Sequence, residues 1–126
     1  MGAGCMRRQV SIRIPAPCQY INSNQRLHRM QVAKLTAAWR EAAQVKVEAL
    51  GWEPYKGRVH IFAHIWKPRG GRYDPNNFWP TVKAAVDGLV SAGFLADDDH
   101  LHVEGPDMRH GGKGPAALVL TVRELA

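Results

Sequence analysis

The sequence predicts an α/β (α+β) fold: a small mixed β-sheet of about four strands with two main helices packed on it. Two observations carry that prediction. Segments with strand and helix periodicity follow one another in the order β-α-β-α-β-β. The chain of 126 residues also suits a single domain spanning residues 1–126, large enough to bury roughly two-thirds of its unfolded surface. A hydrophobic share of 45% beside a charged share of 22% places it among folded globular proteins and argues against disorder.

Residues 9–14 form the first expected strand, with Val10, Ile12 and Ile14 on one side, and Pro15-Ala16-Pro17 stops it. A polar turn around Asn22-Ser23-Asn24 leads into a long helix over 29–50. Its apolar positions Met30, Ala33, Leu35, Ala38, Ala42, Val45 and Ala49 recur at three- and four-residue steps, and Gly51 follows as a terminating glycine. Residues 58–66 alternate cleanly: Val59, Ile61, Ala63 and Ile65 face one way, His60, Phe62, His64 and Trp66 the other. Bulk on both faces predicts a central strand. Lys67-Pro68-Arg69-Gly70-Gly71-Arg72-Tyr73 is a basic, glycine-rich loop. Asp74-Pro75 reads as a helix cap followed by proline in the first turn. The helix proper is expected over 81–91, because Pro80 forces a restart, with Val82, Ala85, Val86, Leu89 and Val90 buried. Two closing strands are expected at 101–104 and 116–123, joined by a glycine-rich turn over 110–114.

Lys plus Arg total 17 against 11 Asp plus Glu, a net charge of +6, which draws polyanions and makes nucleic acid the first partner to consider. No apolar run approaches the ~20 residues that span a bilayer, so no membrane partner is expected. The first residues lack the apolar core of a secretory signal, and the cytoplasm is the expected location. Cys5 and Cys18 have no metal-binding spacing and read as incidental.

Chemistry concentrates in Asp97-Asp98-Asp99. Adjacent carboxylates repel one another, and a divalent cation relieves that repulsion; oxygen ligands suit Mg²⁺ or Mn²⁺. Taken alone, the run is more simply explained as a solvated acidic turn, since like-charge runs commonly sit in water. Asp74 stands before the second helix and the acidic run after it, so the two can converge on one metal site, with Asn76 and Asn77 offering neutral amide oxygens. Lys83 and Asp87, four apart, share a helix face. They form a surface ion pair, or Lys83 faces a phosphate; spacing does not decide. His100 and His102 are placed on one face of a strand, without a third zinc ligand near them.

The stretch from Asp74-Pro75-Asn76-Asn77 through Lys83, Asp87-Gly88-Leu89 and Gly93 to Asp97-Asp98 resembles the signature of the RusA-family Holliday-junction resolvases. That signature holds an Asp-x-Asp-Asn turn, a lysine followed by an Asp-x-Leu helix, a glycine and an Asp-Asp pair. Asn22-Ser23-Asn24 before a basic helix and the closing strands extend the resemblance over most of the chain. It implies a homodimeric, Mg²⁺-dependent endonuclease, with Mn²⁺ as substitute, that resolves four-way DNA junctions by paired nicks in recombination and repair, as in phages. Carried over by position, the catalytic residues are Asp74, Lys83, Asp97 and Asp98. The metal ligands are Asp74, Asp97 and Asp98, assisted by Asn76 and Asn77. Expected DNA contacts are Asn24, Arg26, Arg29, Lys67, Arg69, Arg72, Tyr73 and Arg109, with Phe78 and Trp79 as further stacking candidates. Two departures stand out: Asn76 replaces the second turn carboxylate, and the interval from the turn to Lys83 is about one helical turn longer. A branched-DNA-binding protein without cleavage is the alternative on the same fold.

Overall fold

The computed structural model describes residues 7–125; residues 1–6, with Cys5 and the stretch read for a signal, and residue 126 lie outside it. In the described residues the order is β1 (Gln9–Pro15), α1 (Arg29–Leu50), β2 (Val59–Lys67), a short 3₁₀ helix (Pro75–Phe78), α2 (Trp79–Ser91), β3 (Val103–Lys113) and β4 (Ala117–Glu124). The strands make one mixed sheet in the order β1-β4-β2-β3, as the sequence predicts in kind and number. β4 runs antiparallel to both β1 and β2, while β3 runs parallel to β2. A parallel neighbour demands a crossover, and α2 provides it.

The alternation in β2 decides where the core lies. Val59, Ile61, Ala63 and Ile65 are fully buried beneath the helices, joined by Ile12 and Ile14 from β1 and Leu118, Leu120 and Val122 from β4. Trp39, Ala43 and Val47 of α1 and Val82, Ala85 and Leu89 of α2 close the layer from above. Gly51 ends α1 in the left-handed conformation expected of it, at φ 63°. α2 ends in a Schellman turn: Phe94 N–H donates to the Leu89 carbonyl (3.0 Å) and Gly93 N–H, at φ 77°, to that of Val90 (2.9 Å). No helix among the described residues is long and apolar enough to cross a membrane.

Four expectations need correction. α1 buries Trp39, Ala43 and Val47, leaving Met30 and Val45 at 64% and 56% exposure, so the buried stripe is rotated from the expected one. Trp39 carries the largest apolar surface and sets the phase; counting alanines equally with it misjudged the face. Trp39 is fully buried, and its indole N–H donates to the Gln19 carbonyl (3.0 Å), which fixes the ring in the core. α2 starts at Trp79 rather than 81, because Pro80 falls in its first turn, where no N–H is needed.

Finally, β3 is an eleven-residue strand that contains most of the supposed turn, and His100 and His102 precede it in a turn rather than sharing a strand face. The glycines of β3 serve the sheet. A Cβ on Gly111 or Gly112 would come within 2.6 or 2.7 Å of the Trp66 ring, which lies across them.

Gly88 is where the helices meet. A Cβ there would stand 2.3 Å from the Arg40 carbonyl oxygen, 3.0 Å from Ala43 Cβ and 3.1 Å from Gln44 N. Alanine would gain about 1 kcal/mol of helix propensity. Backbone atoms cannot move aside cheaply, and overpacking of this kind costs about 1–3 kcal/mol or more. Gly88→Ala is therefore expected to lower the denaturant midpoint measurably; an unchanged or raised midpoint would show that the helices are free to separate.

Candidate functional site

Burial leaves few polar positions on α2. Thr81, Val82, Ala84, Ala85, Val86, Gly88 and Leu89 are buried, whereas Lys83 is exposed and Asp87 half-buried one turn further on. Thr81 is itself a tie: its hydroxyl donates to the Ile21 carbonyl (3.0 Å) and accepts the Ile21 N–H (2.7 Å). This holds the β1–α1 connection against the first turn of α2 and fixes the helix about its axis.

Lys83 then projects beside the acidic loop that follows α2. Its ammonium donates to Asp87 Oδ1 (2.8 Å) and to Asp98 Oδ2. Lys83 is thus paired along the helix, as the ion-pair reading expects, and is joined to the acidic run as well. The hydrogen bonds that Lys83 donates to Asp87 and Asp98 raise the lysine pKa, and Lys83 in turn holds the Asp98 carboxyl below the usual carboxylate value. Asp98 N–H donates to Asp97 Oδ1 (2.7 Å), and Asp99 Oδ1 accepts from Leu101 N–H (3.1 Å) and from His102 Nδ1 (2.6 Å). The hydrogen bond from His102 leads the causes that lower the Asp99 pKa.

Among the described residues, Asp97, Asp99 and His102 form the one group of three side chains whose ligand atoms lie within 4.8 Å of one another. Asp74 is outside that group. Its Oδ1 accepts the Asn76 N–H (3.0 Å), which caps the 3₁₀ helix, and the Asn77 carbonyl accepts from Ser23 N–H (2.8 Å). Asp74, Asn76 and Asn77 therefore belong to a turn tied to the Ser23 segment, while Lys83, Asp97 and Asp98 belong to the acidic centre. Sequence reading passed over His102 as a partner for Asp99. The Asp99-x-x-His102 spacing was the available signal, and it was obscured by assigning the pair to a strand.

A slot of about 190 Å³ opens beside Lys83 and Asp98, walled by Trp79, Val86, Val103, Gly105 and Pro106. Trp79 is 43% exposed there, while Phe78 is buried in the core.

The expected DNA contacts divide. Asn24, Arg26, Arg29, Arg69 and Arg72 are exposed. Lys67 is engaged: its ammonium sits 4.5 Å from the Tyr73 ring centre and 5.2 Å from that of Phe78. Tyr73 is half-buried between Phe78 and His110, with its hydroxyl bonded to the Ile65 carbonyl (3.2 Å) and His110 Nδ1 (2.6 Å); burial pushes its pKa up. It packs against the domain rather than standing free to stack. Arg109 lies on the sheet face turned away from the helices. The chain matches no protein-family model and no curated protein.

The pH dependence of the Lys83–Asp98 pair follows from the shifts. Asp98 is lowered from an ordinary value near 3.9, so its contribution is complete above that value and is lost as pH falls through the lowered one. Lys83 is raised, and its contribution survives until pH climbs through the alkaline range beyond about 10.4. Both partners are partly exposed, so the pair contributes less than about 1 kcal/mol. Asp98→Asn should lower Tm slightly at neutral pH, and the gap to wild type should close on acidification. A gap in thermal unfolding that stays constant to the acid end would remove Asp98 from the pair.

Proposed function

We propose that the protein is a divalent-cation-dependent endonuclease acting on branched DNA. The observation that carries this reading is the pairing of Lys83 with Asp98 beside an apolar slot, where Asp98 stands in the chain between Asp97 and Asp99 of the Asp97–Asp99–His102 group, on a domain of net charge +6. The resemblance to RusA-family resolvases supports the same reading.

Two carboxylates and one imidazole are a donor set that a divalent cation accepts. Asp97 and Asp99 suit Mg²⁺, and the nitrogen of His102 tilts the set toward Mn²⁺. These three residues would hold the ion. When bound, it supplies an acidified water and charge compensation for a phosphodiester. Lys83 brings a positive charge to Asp98, the residue between Asp97 and Asp99, and Asp87 and Asp98 hold its ammonium in position. The slot beside it offers Trp79 as an apolar wall for a nucleotide next to the cleaved phosphate. Arg69 and Arg72 hold backbone phosphates without reading sequence. A two-fold homodimer would supply two such centres for the paired incisions that a four-way junction requires.

The test is a labelled four-way junction titrated with Mg²⁺ and Mn²⁺. Wild type is expected to nick it with either ion, more efficiently with Mn²⁺. Asp97→Asn combined with Asp99→Asn should depress cleavage by roughly 100-fold or more while junction binding in metal-free buffer is retained. Binding without cleavage at any metal concentration would favour the non-cleaving alternative, which Asn76 in place of a carboxylate already suggests. Neither binding nor cleavage would end the reading.

A further inference from the structure

Both helices pack on one face of the sheet, and among the described residues no layer covers the other face. The strand register sets out what that face carries. Across it run the rows Arg13–Val119–His64–Arg109, Ser11–Thr121–Phe62–Asp107 and Gln9–Arg123–His60–Glu104. Phe62 is half-buried at the centre, with the Arg109 guanidinium 5.3 Å and that of Arg123 5.1 Å from its ring centre, and His60 stacked on it at 4.2 Å. Four residues beyond Phe62 on the same side of β2, after His64, comes Trp66. Trp66 borders a hollow of about 290 Å³, with Arg13 and Lys113 at its rim and Val119 and Pro115 in its wall.

Charge separates the possible occupants. The carboxylates on this face are Glu104 and Asp107, both on the edge strand β3 and both directed at His60, at 3.8 and 2.9 Å. Arg109 reaches Asp107 only at 3.9 Å. β1 and β4 contribute Arg13 and Arg123 to the face and no carboxylate. A second copy docked across a two-fold axis would set these arginines against their own images, which is unfavourable. A polyanion meets the opposite situation. Half-exposed aromatic rings among guanidinium groups on a sheet surface suit unpaired bases, whose faces a duplex hides.

We propose that this open face, Phe62 and Trp66 among Arg13, Arg109 and Arg123, binds an unpaired DNA strand. The identity of the strand as DNA rests on the nuclease reading; the platform itself rests on the sheet. On a branched substrate it would hold a strand displaced near the acidic centre, since Val103 and Gly105 of β3 also wall the catalytic slot.

The experiment is fluorescence anisotropy of a labelled oligothymidylate of about 16 nucleotides in EDTA, over a range of salt, with thermal unfolding of each variant to verify the fold. Arg13→Ala, Arg109→Ala and Arg123→Ala should each weaken binding and reduce the salt slope by about 0.7. Phe62→Leu and Trp66→Leu, which keep apolar bulk, should each weaken binding by about tenfold. Lys34→Ala, an exposed change on α1 in the opposite layer, should leave binding unchanged, and the matching duplex should bind more weakly than the single strand.

An unaltered salt slope in the triple arginine variant, or equal affinity for the duplex, would overturn the proposal. Self-association in sedimentation that these variants abolish would assign the face to a second copy instead. Binding of oligouridylate without oligothymidylate would overturn the DNA assignment. The two readings fail separately: Asp97→Asn with Asp99→Asn removes cleavage and leaves this binding intact, whereas the open-face variants alter binding measured without metal.

Discussion

The close approach of α1 and α2 at Gly88 is the constraint on which the remaining geometry hangs. With no side chain at that position, the backbone of α2 can lie against the Arg40 carbonyl and Ala43 of α1. Seven residues of α2 are thereby buried, and its rotation about its own axis is determined. Lys83 and Asp87 are left pointing away from the packed face, and the loop after the helix folds back so that Asp98 meets Lys83. A helix displaced by the width of a methyl group could still cover the sheet. It would no longer present Lys83 to the acidic loop in the same place.

Thr81 provides the complementary restraint at the other end. A buried hydroxyl without partners would cost about 1–3 kcal/mol, and here it both donates to and accepts from the backbone of Ile21. Those two bonds draw the turn containing Ser23 and Asn24 toward the 3₁₀ helix that Asp74 caps, a juncture reinforced by the bond from Ser23 N–H to the Asn77 carbonyl. Asp74 thus shapes the entry to α2 through its cap. The ion pair between Lys83 and Asp98 forms further along the chain, at the acidic loop.

A two-layer arrangement also has a consequence for the sheet. Helices on one side satisfy the core-facing residues of all the strands, while the alternate residues of β2 remain only partly covered. Natural sheets with one open face usually surface it with polar groups. This one sets Phe62 and Trp66 among arginines and gives up side chains at Gly111 and Gly112 so that Trp66 can lie flat. The glycine-rich stretch of β3 is explained by that ring, which stands on a different strand.

The elements themselves were legible in the sequence because their signals are local. Alternation along residues 59–66, the three-and-four recurrence over 29–50, Gly51 after the first helix and Asp74-Pro75 before the second report backbone preferences that each segment carries with it. The four-residue spacing of Lys83 and Asp87 was local in the same sense: it set the two on one helix face, and the structure decided that they pair. Tertiary structure decided the rest. The parallel neighbour of β2, the phase of α1 set by Trp39, the extension of β3 through its glycines and the bond between Lys83 and Asp98 all depend on groups far apart in the chain or on which large side chain secures the core. A periodicity count gives every apolar residue one vote, whereas burial rewards each by the area it removes from water. Carboxylates adjacent in sequence are likewise identical until the fold directs them: Asp98 to Lys83, Asp99 to His102, and Asp97 to the backbone of its neighbour.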